Sequence, residues 1–106
     1  MALMNDVEYK GLNWRAYVKI DEIFARFYHK IDGHAYSDVV GELDESKVII
    51  EVVMGFYADR EAALADESIF TRRYNVAIPR ESKNILEDIY ITLKAYSPDF
   101  SGAQNA

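Results

Sequence analysis

The chain has 106 residues, half of them hydrophobic and 28% charged. That suffices for one globular domain with a modest core and excludes a disordered chain. Eighteen acidic residues against twelve basic ones leave a net charge of −6, which argues against nucleic-acid binding as the main task. With no cysteine, disulfides, thiolate metal sites and a cysteine nucleophile are excluded.

The first residues, MALMNDVEYK, lack a basic n-region and a long apolar run, so a signal peptide is not expected. No apolar run reaches the roughly 20 residues that a membrane-spanning helix needs. Val7 to Lys10 reads as a small edge strand closed by Gly11. Arg15 to Asp21 alternates cleanly, with Ala16, Val18 and Ile20 on one face, and predicts a half-buried strand. Glu22 to Ile31 continues extended with aromatics on both faces. Asp32-Gly33 then predicts a tight turn, so that Phe24–Ile31 pairs with His34–Val40. Gly41 to Ser46 is an acidic loop.

Lys47 to Tyr57, KVIIEVVMGFY, is the longest β-type run. Val48, Ile50, Val52, Met54 and Phe56 share one face. Ile49, Val53 and Tyr57 share the other, interrupted by Glu51 and Gly55. A strand with one face in water alternates apolar and polar residues. This one predicts cover on both faces, from a second layer or from another chain. Asp59 is placed to cap a short helix over Arg60–Ala65. Ser68 to Ile78 returns to strand, with Phe70, Tyr74, Val76 and Ile78 inward, and ends at Pro79. Ser82 to Tyr96 carries a helical stripe of Ile85, Leu86, Ile89, Leu93 and Tyr96, with Asn84 or Ser82 as N-cap and Ser97-Pro98 as stop.

The expected architecture is mainly β (α+β): an antiparallel β-sandwich or open barrel with one C-terminal helix and a short helical insert. Residues 1–98 form the single domain, and 99–106 a polar tail whose support is expected from a neighbouring subunit.

Candidate chemistry is sparse. His29, Asp32 and His34 lie close in sequence, but a turn aspartate between two ordinary strand histidines explains them, so no metal site is expected. The acidic residues Asp38, Glu42, Asp44 and Glu45 match no calcium-loop spacing. Neighbouring carboxylates such as Asp21-Glu22 and Glu87-Asp88 point apart on a strand or helix. Nucleophile elbows and phosphate-binding glycine loops are absent from the sequence. Arg72-Arg73 reads as two salt-bridged surface residues. No catalytic residue and no cofactor is expected. The aromatics Trp14, Tyr17, Phe24, Tyr28, Tyr36 and Tyr57 either fill the core or form an interface, between subunits or with a glycan.

Four segments then invite comparison: AYVKID (16–21), VVMGFYADREAALA (52–65), YNVAI (74–78) and NILEDIYITLK (84–94). In order and spacing they resemble small virion structural proteins of tailed bacteriophages and prophages, often tail-associated. The resemblance covers about two thirds of the chain and departs from the pattern over Phe24–Ser46. It implies a non-enzymatic virion component of the tail, neck or baseplate region, made in the host cytoplasm. Its partners would be further copies of itself and other virion proteins, with no nucleic acid and no membrane. Alternatives are a receptor- or glycan-binding β-module on the virion, and a small enzyme or regulatory subunit.

Overall fold

The computed structural model describes residues 1–24 and 39–106. Among these described residues six strands form one curled mixed sheet, a half-barrel, in the order β3-β5-β4-β2-β1-β6. The strands are β1 (Leu3–Tyr9), β2 (Leu12–Phe24), β3 (Val39–Val40), β4 (Lys47–Tyr57), β5 (Phe70–Pro79) and β6 (Gln104–Asn105). Helix α1 (Arg60–Leu64) follows β4 and helix α2 (Ile85–Tyr96) follows β5. A single 3-10 turn, Pro98–Phe100, leads from α2 to β6. The mainly β open-barrel expectation holds, with one helix of length and one short insert. One pairing is parallel, β3 against β5.

Local chemistry explains the ends of these elements. β1 and β2 join through Lys10-Gly11, both at positive φ (50° and 84°), the requirement of a type I′ hairpin. Asp59 accepts a hydrogen bond from the Ala62 N–H at 2.9 Å and opens α1. Asn84 caps α2 by accepting from the Glu87 N–H at 3.1 Å, while its amide reaches back to Glu87 Oε2 at 3.2 Å.

The core lies on one face of the sheet. Leu3, Ala16, Val18, Val48, Ile50, Val52, Met54, Phe56, Val76 and Ile78 are buried there beneath Ile89, Tyr90 and Leu93 of α2. Ile85, Leu86 and Tyr96, expected in its apolar stripe, are 38%, 49% and 53% exposed, and the buried residues of α2 are Ile89, Tyr90 and Leu93.

β4 is covered on both faces, as its sequence predicted, and of the two alternatives it is the chain itself that supplies the cover. The strand lies between β2 and β5, and its second face is closed within the one chain: Ile49, Val53 and Tyr57 are 2%, 8% and 1% exposed. No second copy is needed to cover it. On that side α1 packs across β2 and β4, with Ala63 buried. The expected hairpin at Asp32-Gly33 lies outside the described residues; on either side of it, Phe24 sits opposite Glu51 on β4 and Val39–Val40 sits beside Asn75–Val76 on β5.

One expectation changes, that the C-terminal residues are supported by a neighbouring subunit. They rest on their own chain. Phe100 is fully buried, and β6 pairs with β1 through Leu3↔Asn105 and Met4↔Gln104. Asp99 bridges the two sides of the half-barrel. Its main-chain oxygen accepts from Asn5 Nδ2 on β1 at 2.7 Å, and its carboxylate accepts from the Tyr74 hydroxyl on β5 at 2.7 Å. Arg72 of β5 adds an ion pair at 3.6 Å. The segment expected as a loose tail therefore closes the seam of the curled sheet.

Candidate assembly surface

Strand register assigns each candidate side chain to a face. Leu3, Val18, Phe56 and Phe70 stand in one row across β1, β2, β4 and β5. The β1–β2 hairpin continues past this row and curls over the end of the core, where the Tyr9 ring stacks on Phe70 at 4.3 Å. Phe70 stacks in turn on Phe56 at 4.3 Å. Trp14 meets Phe70 edge-on at 6.1 Å and donates its indole N–H to the Tyr57 carbonyl at 3.2 Å. Trp14 is thus a half-buried flank of the core and not a free stacking platform.

Tyr17, Phe24 and Tyr57 belong to the opposite face. Tyr17 pairs with Tyr57, and Phe24 with Glu51, in the β2–β4 ladder. Tyr17 is half-buried, and Phe24 packs under the Arg73 guanidinium at 5.4 Å. Tyr28 and Tyr36 lie outside the described residues. Among the described aromatics of the expected set, then, Trp14 is separated from the other three by the sheet itself, and Tyr57 is buried. They do not make one surface.

Tyr57 instead anchors a polar cluster on the outer face. A bulge in β2 between Ile20 and Glu22 turns Asp21 toward it. The Tyr57 hydroxyl donates to Asp21 Oδ1 at 2.5 Å. Lys19 lies over the Tyr57 ring at 5.2 Å, 3.7 Å from Asp21 and 3.1 Å from Asp66. The Asp66 hydrogen bond leads the upward shift of the Lys19 pKa. Arg73 pairs with Glu51 at 2.8 Å on the same face, whereas Arg72 serves Asp99 on the core side. The two arginines are salt-bridged on opposite faces, as alternation along a strand requires.

These contacts also set a pH dependence. Burial, then the bond to a carboxylate, raises the pKa values of Tyr57 and Tyr74 well above the ordinary range. Burial raises that of Tyr90 as well, against the bond its hydroxyl accepts from the Ile20 N–H. A raised folded-state pKa means that the unfolded chain releases its proton first. This stabilisation is complete below the ordinary tyrosine value of about 10 and fades above it. The urea midpoint should hold from neutral pH to about 9 and then fall, less steeply in Tyr57→Phe and Tyr74→Phe. A midpoint flat to strongly alkaline pH would contradict the assignment.

Among the described residues two shallow depressions stand out. One is lined by Glu45, Ser46, Lys47, Pro79, Arg80 and Glu81, where β4 begins and β5 ends. The other runs along the β1–β2 hairpin, lined by Asp6, Val7, Glu8, Asn13, Trp14 and Arg15. Among the described residues no group of three or more His, Asp or Glu side chains is placed to hold a metal ion. No described helix is long and apolar enough to cross a membrane. The most exposed apolar side chains are Leu64 on α1, Leu12 beside the hairpin turn, and Ile91 and Tyr96 on α2, besides Met1.

Sequence reading missed the Asp99 bridge and the outer-face polar cluster. Both join residues far apart in the chain, and no local pattern marks either. The paired Asp21-Glu22 signal was visible, but the bulge that redirects Asp21 was not. Comparison with protein-family models, curated proteins and solved structures found no match.

Proposed function

We propose that this protein is a non-enzymatic structural subunit of a tailed-phage virion, in the tail, neck or baseplate region, working alongside further copies of itself and other virion proteins. What carries this reading is where the four resembling segments fall. AYVKID lies on β2, VVMGFYADREAALA on β4 and α1, YNVAI on β5, and NILEDIYITLK forms α2 with its cap. β2, β4 and β5 are hydrogen-bonded neighbours, and α2 covers their apolar face. The four segments therefore make one contiguous packing unit, which is what a building block needs.

Assembly in this reading uses the sheet margins and the exposed apolar side chains, and not β4, which the chain covers by itself. Among the described residues each margin of the sheet is closed by a strand of two residues, β3 on one side and β6 on the other. Two measurements test it. Mass spectrometry of particles released by the encoding phage or prophage should find the chain in fixed stoichiometry. Sedimentation velocity over a concentration range should show self-association or co-sedimentation with a virion protein. A chain absent from purified particles and monomeric throughout overturns the proposal.

A further inference from the structure

Strand β6 covers β1 over two residues only, yet it decides which self-pairings of that edge are possible. The main-chain groups of a strand point alternately to its two neighbours. Ala106 N–H donates to the Ala2 carbonyl at 3.0 Å, so the main-chain groups of Ala2 and Met4 face β6. Those of Asp6 and Glu8 face the same way by alternation, and among the described residues no strand pairs with them. Asp6 and Glu8 are themselves exposed.

A second copy adding its own β1 about a two-fold axis pairs antiparallel, with residues of equal parity opposed. While β6 is in place, residues up to Met4 are occupied, and the first register without collision centres on Val7. That register sets Asp6 against the partner's Glu8 and Glu8 against the partner's Asp6. Four carboxylates then meet on one face against two guanidiniums only, since each Asp6 keeps its Arg15 partner at 3.1 Å, and the directly opposed like charges destabilise the strand pair. With β6 removed, a register centred on Asn5 opens. Asp6 then meets the partner's Met4, Glu8 meets the partner's Ala2, and all four outward-facing residues join the ladder.

The hold on β6 is light. Gln104 and Asn105 are exposed and are clamped by Arg15 at 2.9 Å and Lys94 at 2.9 Å. Just before it, Gly102 has nothing within 4 Å of the Cβ position. Before that, Phe100 and Asp99 are fixed in the seam. Release of β6 therefore need not open the core. We infer that β6 is a detachable guard that keeps the β1 edge from pairing with the β1 edge of a second copy. This rests on the reading of the chain as an assembling subunit, and it names a surface and a control for that assembly.

The test uses the full chain. Gln104→Pro removes one main-chain donor of β6, opposite Met4, together with the Arg15 contact, and leaves the Ala106 bond to Ala2 as the remaining main-chain hold. It should double the sedimenting mass relative to the parent, with near-ultraviolet circular dichroism unchanged. Adding Asp6→Pro, which removes an outward-facing N–H from β1, should restore the parent mass. Separately, Asp6→Asn with Glu8→Gln should double the mass with β6 in place, because the register centred on Val7 is then free of repulsion. An unchanged mass in Gln104→Pro, a doubled mass that survives Asp6→Pro, or an unchanged mass in the amide variant overturns the guard. A parent that assembles through other surfaces while these variants do not respond leaves the subunit reading standing and the guard refuted. A responsive β1 edge in a chain absent from virions does the reverse.

Discussion

Phe100→Ala should cost about 3–5 kcal/mol of stability, the range for truncating a fully buried phenylalanine. Composition alone would place residue 100 in a dispensable tail. In the folded chain its ring is sealed from solvent, 6.1 Å from Phe56 and 5.5 Å from Tyr74. Truncation empties the space between the two sides of the half-barrel and loosens Asp99, whose main-chain oxygen satisfies the buried Asn5 amide. For a domain of this size each kcal/mol lowers the melting temperature by about 4–8 °C, so a fall of more than about 12 °C is expected. Phe100→Leu, which keeps most of the volume, should lose less than half as much. Thermal and urea unfolding followed together decide the matter. A Phe100→Ala loss below about 1 kcal/mol would mean that the seam closes without this ring.

Gly55→Ala should cost about 1–3 kcal/mol, although it adds one methyl group to a strand that otherwise favours side chains. The added Cβ would stand 2.2 Å from Asp21 Oδ2 and 2.7 Å from Tyr57 Cε2. The carboxylate could swing away only by giving up the Tyr57 hydroxyl, and the Tyr57 ring is itself buried. Both escapes are therefore costly. In an Asp21→Ala background the carboxylate clash and the hydrogen bond are both gone, so the same Gly55 substitution should cost less, by at least about 0.5 kcal/mol of coupling. Additive losses in the double-mutant cycle would show that the clash is relieved some other way.

Much of the fold was legible locally. The alternation of Ala16, Val18 and Ile20, the inward set Phe70, Tyr74, Val76 and Ile78, and the caps Asp59 and Asn84 all occupy their expected places. Each depends on neighbours within a few residues, where periodicity and capping chemistry act. The Lys10-Gly11 turn was half visible: Gly11 marked a stop, but a lysine at positive φ is not a residue that announces a type I′ turn.

By itself the sequence determined the class of β2, β4, β5, α1 and α2, the two apolar faces of Lys47–Tyr57, and an acidic chain without cysteine chemistry. The tertiary structure decided what covers those faces, because burial depends on which elements the curled sheet brings together. It placed Ile49, Val53 and Tyr57 out of solvent within a single chain and divided Trp14 from Tyr17 across the sheet. It also turned a polar terminus into the closure of the barrel, since Asn5, Tyr74 and Asp99 meet only after the chain has folded. Short-range periodicity specifies an element's faces, and only long-range packing specifies their partners.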